Sequence, residues 1–214
     1  MMGKSEWIML LDGGLTTLWI SLSAILIGIV IGLFIALIRN LKIPVITQCL
    51  AFYVSLARAT PLVTIVLFVF LGMPELGLEL DRITTAIIAL TINTSAFNAE
   101  IWRSAFLSFP REQLEAAKAA GMTRWLTFRR ITLPQMFLTS LPALVNEMTF
   151  LIKASPAIAV IGVVDLTRVT NQISAVTYEP LPPILVACAM YMLLMGVMLK
   201  LQRWSERFVY RLSM

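Results

Sequence analysis

The sequence contains no histidine. Histidine-based catalytic triads, histidine metal sites and a histidine pH switch are therefore excluded. Cysteine is nearly as scarce: Cys49 and Cys188 are far apart in apolar segments, and no CxxC pair exists. Neither a disulfide scaffold nor a metal site is expected, and both thiols read as small core residues. A phosphate-cradling GxxxxGK[ST] loop is also missing, so the chain is not expected to hydrolyse ATP by itself. Charged residues make up 14% of the 214 positions, well below the usual ~25%. Disorder and collagen-like repeats are excluded, and an ordinary soluble enzyme is a poor fit.

What fills the sequence instead is apolar surface, 59% of residues with a mean hydropathy of +0.87. A soluble globule of this size could not bury so much, so lipid is the expected solvent. Leu15 to Ile38 is a charge-free run of 24 residues, about 36 Å as a helix. Arg39 and Lys42 follow it rather than a small-residue cleavage site, which argues against a cleaved signal. Further apolar segments cover about 48–71, 83–102, 134–152 and 180–199. The run from Ala154 to Val164 is too short to span and is expected as a broken or re-entrant piece near Ser155-Pro156. The expected fold is therefore an all-α integral membrane domain covering 1–214, with five transmembrane helices.

Basic residues orient it. With the N-terminus outside (periplasmic) and the C-terminus cytoplasmic, segments 39–47, 103–131 and 200–214 carry 12 Lys/Arg. The outside segments carry 4, and Arg58 lies within a span. That asymmetry obeys the positive-inside rule. It also accounts for a net charge of +5 and a pI near 9.6 without nucleic acid as a partner.

The cytoplasmic segment 108–134 is the most distinctive. Ser108 and Pro110 suit a helix start, Glu112 and Glu115 favour its first turns, and Ala116, Ala117, Ala119 and Ala120 are strong helix formers. Gly121 supplies a stop, and Thr123 caps a second short helix carrying Trp125, Leu126, Phe128 and Ile131 among Arg124, Arg129 and Arg130. A helix over Pro110–Ala120 with small side chains suits close approach by a cytoplasmic partner; a solvated amphipathic loop is the simpler alternative.

Four charged residues inside or beside the spans are costly in lipid and so candidates for an interior path: Arg58, Glu100, Glu147 and Lys153. Glu100 and Arg103, near the cytoplasmic end, are expected to be solvated. Arg58 precedes Thr60-Pro61, where proline breaks the helical ladder, and could hold a substrate carboxylate or a structural partner. Glu147, with Asn146 beside it, could hold an ammonium group or pair with Arg58. Lys153 lies about 240° round an ideal helix from Glu147. Twelve methionines, four of them in the last span, read as flexible packing.

Glu115-Ala116-Ala117, Gly121 and Ile131-x-Leu133-Pro134 resemble the EAA loop of permease subunits of bacterial ATP-binding cassette (ABC) importers. Arg58-Ala59-Thr60-Pro61-Leu62, Ala99-Glu100-Ile101, Pro110-x-x-Gln113, Asn146-Glu147, Lys153 and Val160-Ile161-Gly162 through Asp165-Leu166-Thr167-Arg168 resemble the polar amino acid branch. The similarity runs from about residue 50 to 170. Departures are Ala59 and Glu112 in place of glycine and Ala154-Ser155-Pro156-Ala157 after Lys153. Of two acids found in basic-amino-acid members, only Glu147 is present; the other position is Ala154. The resemblance implies an amino-acid or amino-acid-derivative importer in the bacterial inner membrane. Its partners would be an ATPase dimer that binds ATP and Mg, a second permease chain and a solute-binding protein, with no cofactor in this chain. Glu115, Ala116, Ala117, Ala120 and Gly121 would then form the ATPase-coupling element, and Arg58, Thr60, Asn146, Glu147 and Lys153 the substrate pathway. A membrane assembly or regulatory protein docking another partner is the alternative, and a membrane-embedded enzyme the weakest reading.

Overall fold

A computed structural model describes residues 3–212, whose regular structure is helical with no strand among them. Among the described residues nine α-helices follow one another: α1 (Lys4–Asn40), α2 (Pro44–Ala59), α3 (Leu62–Glu75), α4 (Arg82–Leu107), α5 (Arg111–Ala119), α6 (Arg124–Thr127), α7 (Leu133–Ala154), α8 (Leu166–Thr177) and α9 (Leu181–Leu212). Three helical stretches are long and apolar enough to cross a membrane alone, Lys4–Asn40, Arg124–Ile161 and Leu181–Arg211. Pro44–Ala59 with Leu62–Glu75 makes a fourth, bent by 113°.

That bend revises the second expected span. Pro61 has no N–H and keeps Thr60 out of helical geometry, at φ −88° and ψ 131°. The Thr60 amide and hydroxyl both bond back to the Leu56 carbonyl, at 3.0 and 2.8 Å, closing α2 before α3 departs.

The expected third span is α4, 26 residues long but too polar to qualify on composition. Its thread of Thr91, Thr94, Ser95 and Asn98 is buried by protein. Asp81 caps its start: the Thr84 hydroxyl and amide and the Ile83 amide bind the carboxylate and hold it below the usual range. α1 lies along α4 through Gly28 and Gly32, four residues apart. A Cβ on Gly28 would run into the Thr94 side chain, and one on Gly32 would lie 2.7 Å from Asn98 Cβ. This is the small-residue approach that membrane helices use. The Trp102 indole, fully buried, donates to the Ile29 carbonyl at 3.2 Å. The Tyr53 hydroxyl reaches the Ile92 carbonyl at 2.9 Å and Ser95 at 2.8 Å, tying α2 to the same helix.

The second short loop helix is not separate from the fourth span. α6 passes through a π-helical segment, Phe128–Thr132, directly into α7. Pro134 cannot donate to the carbonyl four residues earlier, and the wider turn relieves the resulting clash. At its other end α7 tightens into a 3-10 helix, Ser155–Ile161, so the short apolar run continues this span. Gly162, at φ +87°, then turns the chain into α8. α8 lies in a segment expected to be an outside loop. Asp165 caps it through the Arg168 amide at 2.9 Å, and Leu166, Val169 and Ile173 pack against Leu10 of α1.

Candidate functional site

The helix break at Pro61, which has no N–H to continue the ladder, leaves Arg58 in the last turn of α2, facing α4 and α7. A cleft of about 590 Å³ forms there, lined by Arg58, Thr60, Asn93, Phe97, Asn146 and Glu147, with apolar side chains between them. Four of the five expected pathway residues are thereby brought together, from α2, the α2–α3 break and α7. Lys153 is not among the lining residues; its ammonium sits 5.8 Å from the Phe150 ring. The helix stays unbroken from Glu147 to Lys153, so the angular offset between them persists.

Arg58 and Glu147 are opposite charges on one cleft but are not an ion pair within 4 Å. The ion pairs among the described residues join Glu100 to Arg39 and to Arg103. The Arg58 guanidinium lies over the Phe97 ring at 5.3 Å, a cation–π contact that holds it without neutralising it. Glu147 is 8% exposed, with the Thr94 side chain and the Arg58 guanidinium as its polar neighbours. A nearly buried carboxylate and a guanidinium beside it, each with capacity to spare, can receive the ammonium and carboxylate of one zwitterion. Arg58, Asn146, Phe150 and Ala154 are exposed along the same cleft, so this chain does not supply its outer wall.

A second hollow of about 380 Å³ shares Arg58, Phe97, Ile101 and Ala143 with the first and extends along α4 and α7 past Ser104, Ser108, Thr139 and Ser140. Hydroxyls therefore line a route from the charged cleft to the loop end of α4. Glu100 does not dangle in solvent, as expected from its place near the helix end. It receives Arg103 Nε at 2.8 Å and Arg39 from α1, fastening the ends of two helices. The sequence reading missed Asn93 and Phe97, whose spacing of four on one face of α4 was the available signal, and Thr94, which also meets Gly28 of α1.

The loop element is a helix one residue shorter at each end than expected, with Pro110 and Ala120 as its caps. Ser108 ends α4 instead of starting α5, and its hydroxyl bonds back to the Ala105 carbonyl. Gly121 adopts φ +75°. Its amide donates to the Lys118 carbonyl and the Met122 amide to the Ala117 carbonyl, each at 3.0 Å, the paired bonds of a Schellman turn. Glu115, Ala116, Ala120 and Gly121 are exposed, whereas Ala117 is 4% exposed and turned toward the chain's own interior. Phe128 stacks between Trp125 at 5.8 Å and Phe106 of α4 at 6.4 Å, an aromatic platform that ties the segment following α5 to α4.

Residues 16–210 match the family described as binding-protein-dependent transport system inner membrane component. Among similar proteins, a probable amino-acid ABC transporter permease of Bacillus subtilis is 40% identical over 71% of this chain and 67% of its own length. An arginine transport system permease from the same organism is 33% identical over 92% and 91%. A glutamine transport system permease of Escherichia coli is 32% identical over 93% and 92%. A crystal structure of an amino acid ABC transporter with histidines superposes with a TM-score of 0.86 at 35% identity, over 93% of each chain. An inward-facing methionine ABC transporter shares the fold, with a TM-score of 0.75 at 22% identity over 98% and 99%.

Proposed function

The chain belongs to the binding-protein-dependent transport system inner membrane components, and from that membership we propose how it works as the membrane subunit of an amino-acid ABC importer. The cleft between α2, α4 and α7 is the substrate site. Arg58 receives the α-carboxylate, Glu147 the α-ammonium, and Thr60 and Asn146 donate hydrogen bonds at the rim. The coexistence of Arg58 and Glu147 on one cleft without a direct bridge carries this reading. Lys153 stands outside the cleft and is assigned no substrate contact.

Five spans cross the inner membrane in this reading, with α2 and α3 forming one bent span and α4 crossing inside the protein. The N-terminus is periplasmic and the C-terminus cytoplasmic. A second permease chain, a copy or a homologue, closes the exposed side of the cleft. A solute-binding protein delivers substrate from outside. ATP and Mg belong to a separate ATPase dimer, which grips α5 through Glu115, Ala116 and Ala120. Ala117 anchors α5 to its own chain, and Gly121 makes the turn that fixes its angle. Closure of the ATPase moves α5 as a lever, and the platform passes that motion to α4 and α7, the walls of the cleft. The family favours transport over the assembly-protein alternative.

Uptake by the complete transporter in proteoliposomes tests the cleft assignment. Arg58→Gln and Glu147→Gln should each lower amino-acid uptake about tenfold, corresponding to ~1.4 kcal/mol of lost charge-assisted bonding. ATP hydrolysis should persist in both. An amine analogue lacking the carboxylate should compete weakly with wild type and no more weakly with Arg58→Gln. Unchanged uptake in both variants would refute the site.

A further inference from the structure

A second cluster of unused polar chemistry lies where α1 ends and α2 begins. A pocket of about 220 Å³ is lined there by Arg39, Lys42, Thr47 and Arg103, together with Phe106 and Leu107. Glu100 is shared by Arg39 and Arg103, so three cations meet one carboxylate and two positive charges stay uncompensated. Two polar atoms of this pocket's residues are buried without a hydrogen-bond partner, Nε of Arg39 and the hydroxyl of Thr47. Buried donors are ordinarily satisfied, and an orphan costs ~1–3 kcal/mol. Lys42 holds φ +56°, one of two non-glycine residues with positive φ among those described. Strain of that kind is kept where surrounding structure needs a side chain in one place.

The spare charge and the two orphan donors call for an acceptor with several oxygens and a negative charge. The apolar neighbours say where it comes from: Ile38, Leu41 and Ile43 are exposed beside the pocket, offering surface for acyl chains. We propose that this pocket holds the phosphate group of an anionic phospholipid, with its chains lying against the ends of α1 and α2. Basic pockets between helices at the cytoplasmic boundary suit such headgroups. Arg39 Nε and the Thr47 hydroxyl donate to the phosphate oxygens, and Lys42 and Arg103 supply the charge. The lipid thereby secures the Arg39–Glu100–Arg103 clamp at the base of the transport helices. The inference rests on the membrane reading and not on transport, so lipid binding is scored independently of uptake.

Native mass spectrometry of the full chain in detergent, titrated with phosphatidylglycerol, tests it. One tightly held lipid per chain is expected, not displaced by phosphatidylcholine or by millimolar inorganic phosphate. Lys42→Gly suits the positive φ while deleting the charge, and should weaken that first site about fivefold. Thr47→Val, which removes the hydroxyl at constant volume, should weaken it as well. Arg203→Gln, removing an exposed cation far along α9, should change nothing. Equal binding by wild type, Lys42→Gly and Thr47→Val would overturn the proposal. So would an equal loss in Arg203→Gln, and displacement by inorganic phosphate would assign the pocket to a soluble anion instead.

Discussion

Glu115→Arg should abolish ATP-driven uptake while the chain stays folded. Glu115 is exposed on α5 and enters no ion pair among the described residues, so its replacement should move intrinsic stability by no more than ~0.5 kcal/mol. Any large effect must therefore arise outside the chain. Reversing a charge at a docking surface replaces an attraction with a repulsion, and like charges juxtaposed there cost several kcal/mol. A loss of more than about tenfold in ATPase association and in uptake is expected. Gly121→Val should produce the same defect by another route. No atom lies within 4 Å of a Cβ built at Gly121, so nothing collides. The cost is in the backbone, where a β-branched residue is forced to φ +75° and the Schellman turn opens. The direction of α5 changes and its grip is lost. Co-purification with the ATPase, run beside an uptake assay, checks both. Wild-type behaviour by both variants would remove α5 as the coupling element.

The second large effect concerns assembly of the core. Gly32→Ala should destabilise the protein by ~1–3 kcal/mol, and Gly32→Val by more. The new Cβ would stand 2.7 Å from Asn98 Cβ and 2.9 Å from the Ala99 amide nitrogen. Neither is the free end of a flexible side chain, so α1 and α4 must separate along their seam. The separation would also disturb the Trp102 bond to Ile29 and the buried Thr94–Asn98 contact. Gly72→Ala is the matched control, since nothing lies within 4 Å of its Cβ. A thermal melt in detergent should show Gly32→Ala lower by roughly 5 °C and Gly72→Ala little changed. Equal midpoints would mean that the seam tolerates spreading.

These two regions differ in how far the sequence revealed them. α5 was legible because everything that makes it is local: alanines, early acids and a glycine stop at helical distance. The seam of α1 and α4 was not read, although Gly28 and Gly32 stand four apart in an apolar run. Which helix they approach depends on residues some 60 positions away. α8 had a local signal too, in the cap Asp165 followed by Leu166, Val169 and Ile173, which share one helical face.

Composition and the long apolar runs alone determined that this is a helical membrane chain, because lipid leaves the backbone no other way to satisfy its polar groups. The residues of its 108–134 loop likewise carried the resemblance to the permease family, to which the match over residues 16–210 assigns it. Tertiary structure decided that α4, too polar to enter lipid by composition, is sheltered by its neighbours. It decided that Glu100 joins Arg39 and Arg103 and that Lys153 does not line the cleft. It also brought Arg58 and Glu147, 89 positions apart in sequence, onto one cleft without letting them neutralise each other. Local propensity acts over a helical turn, whereas the solvation and partners of a charge depend on which distant helices pack around it.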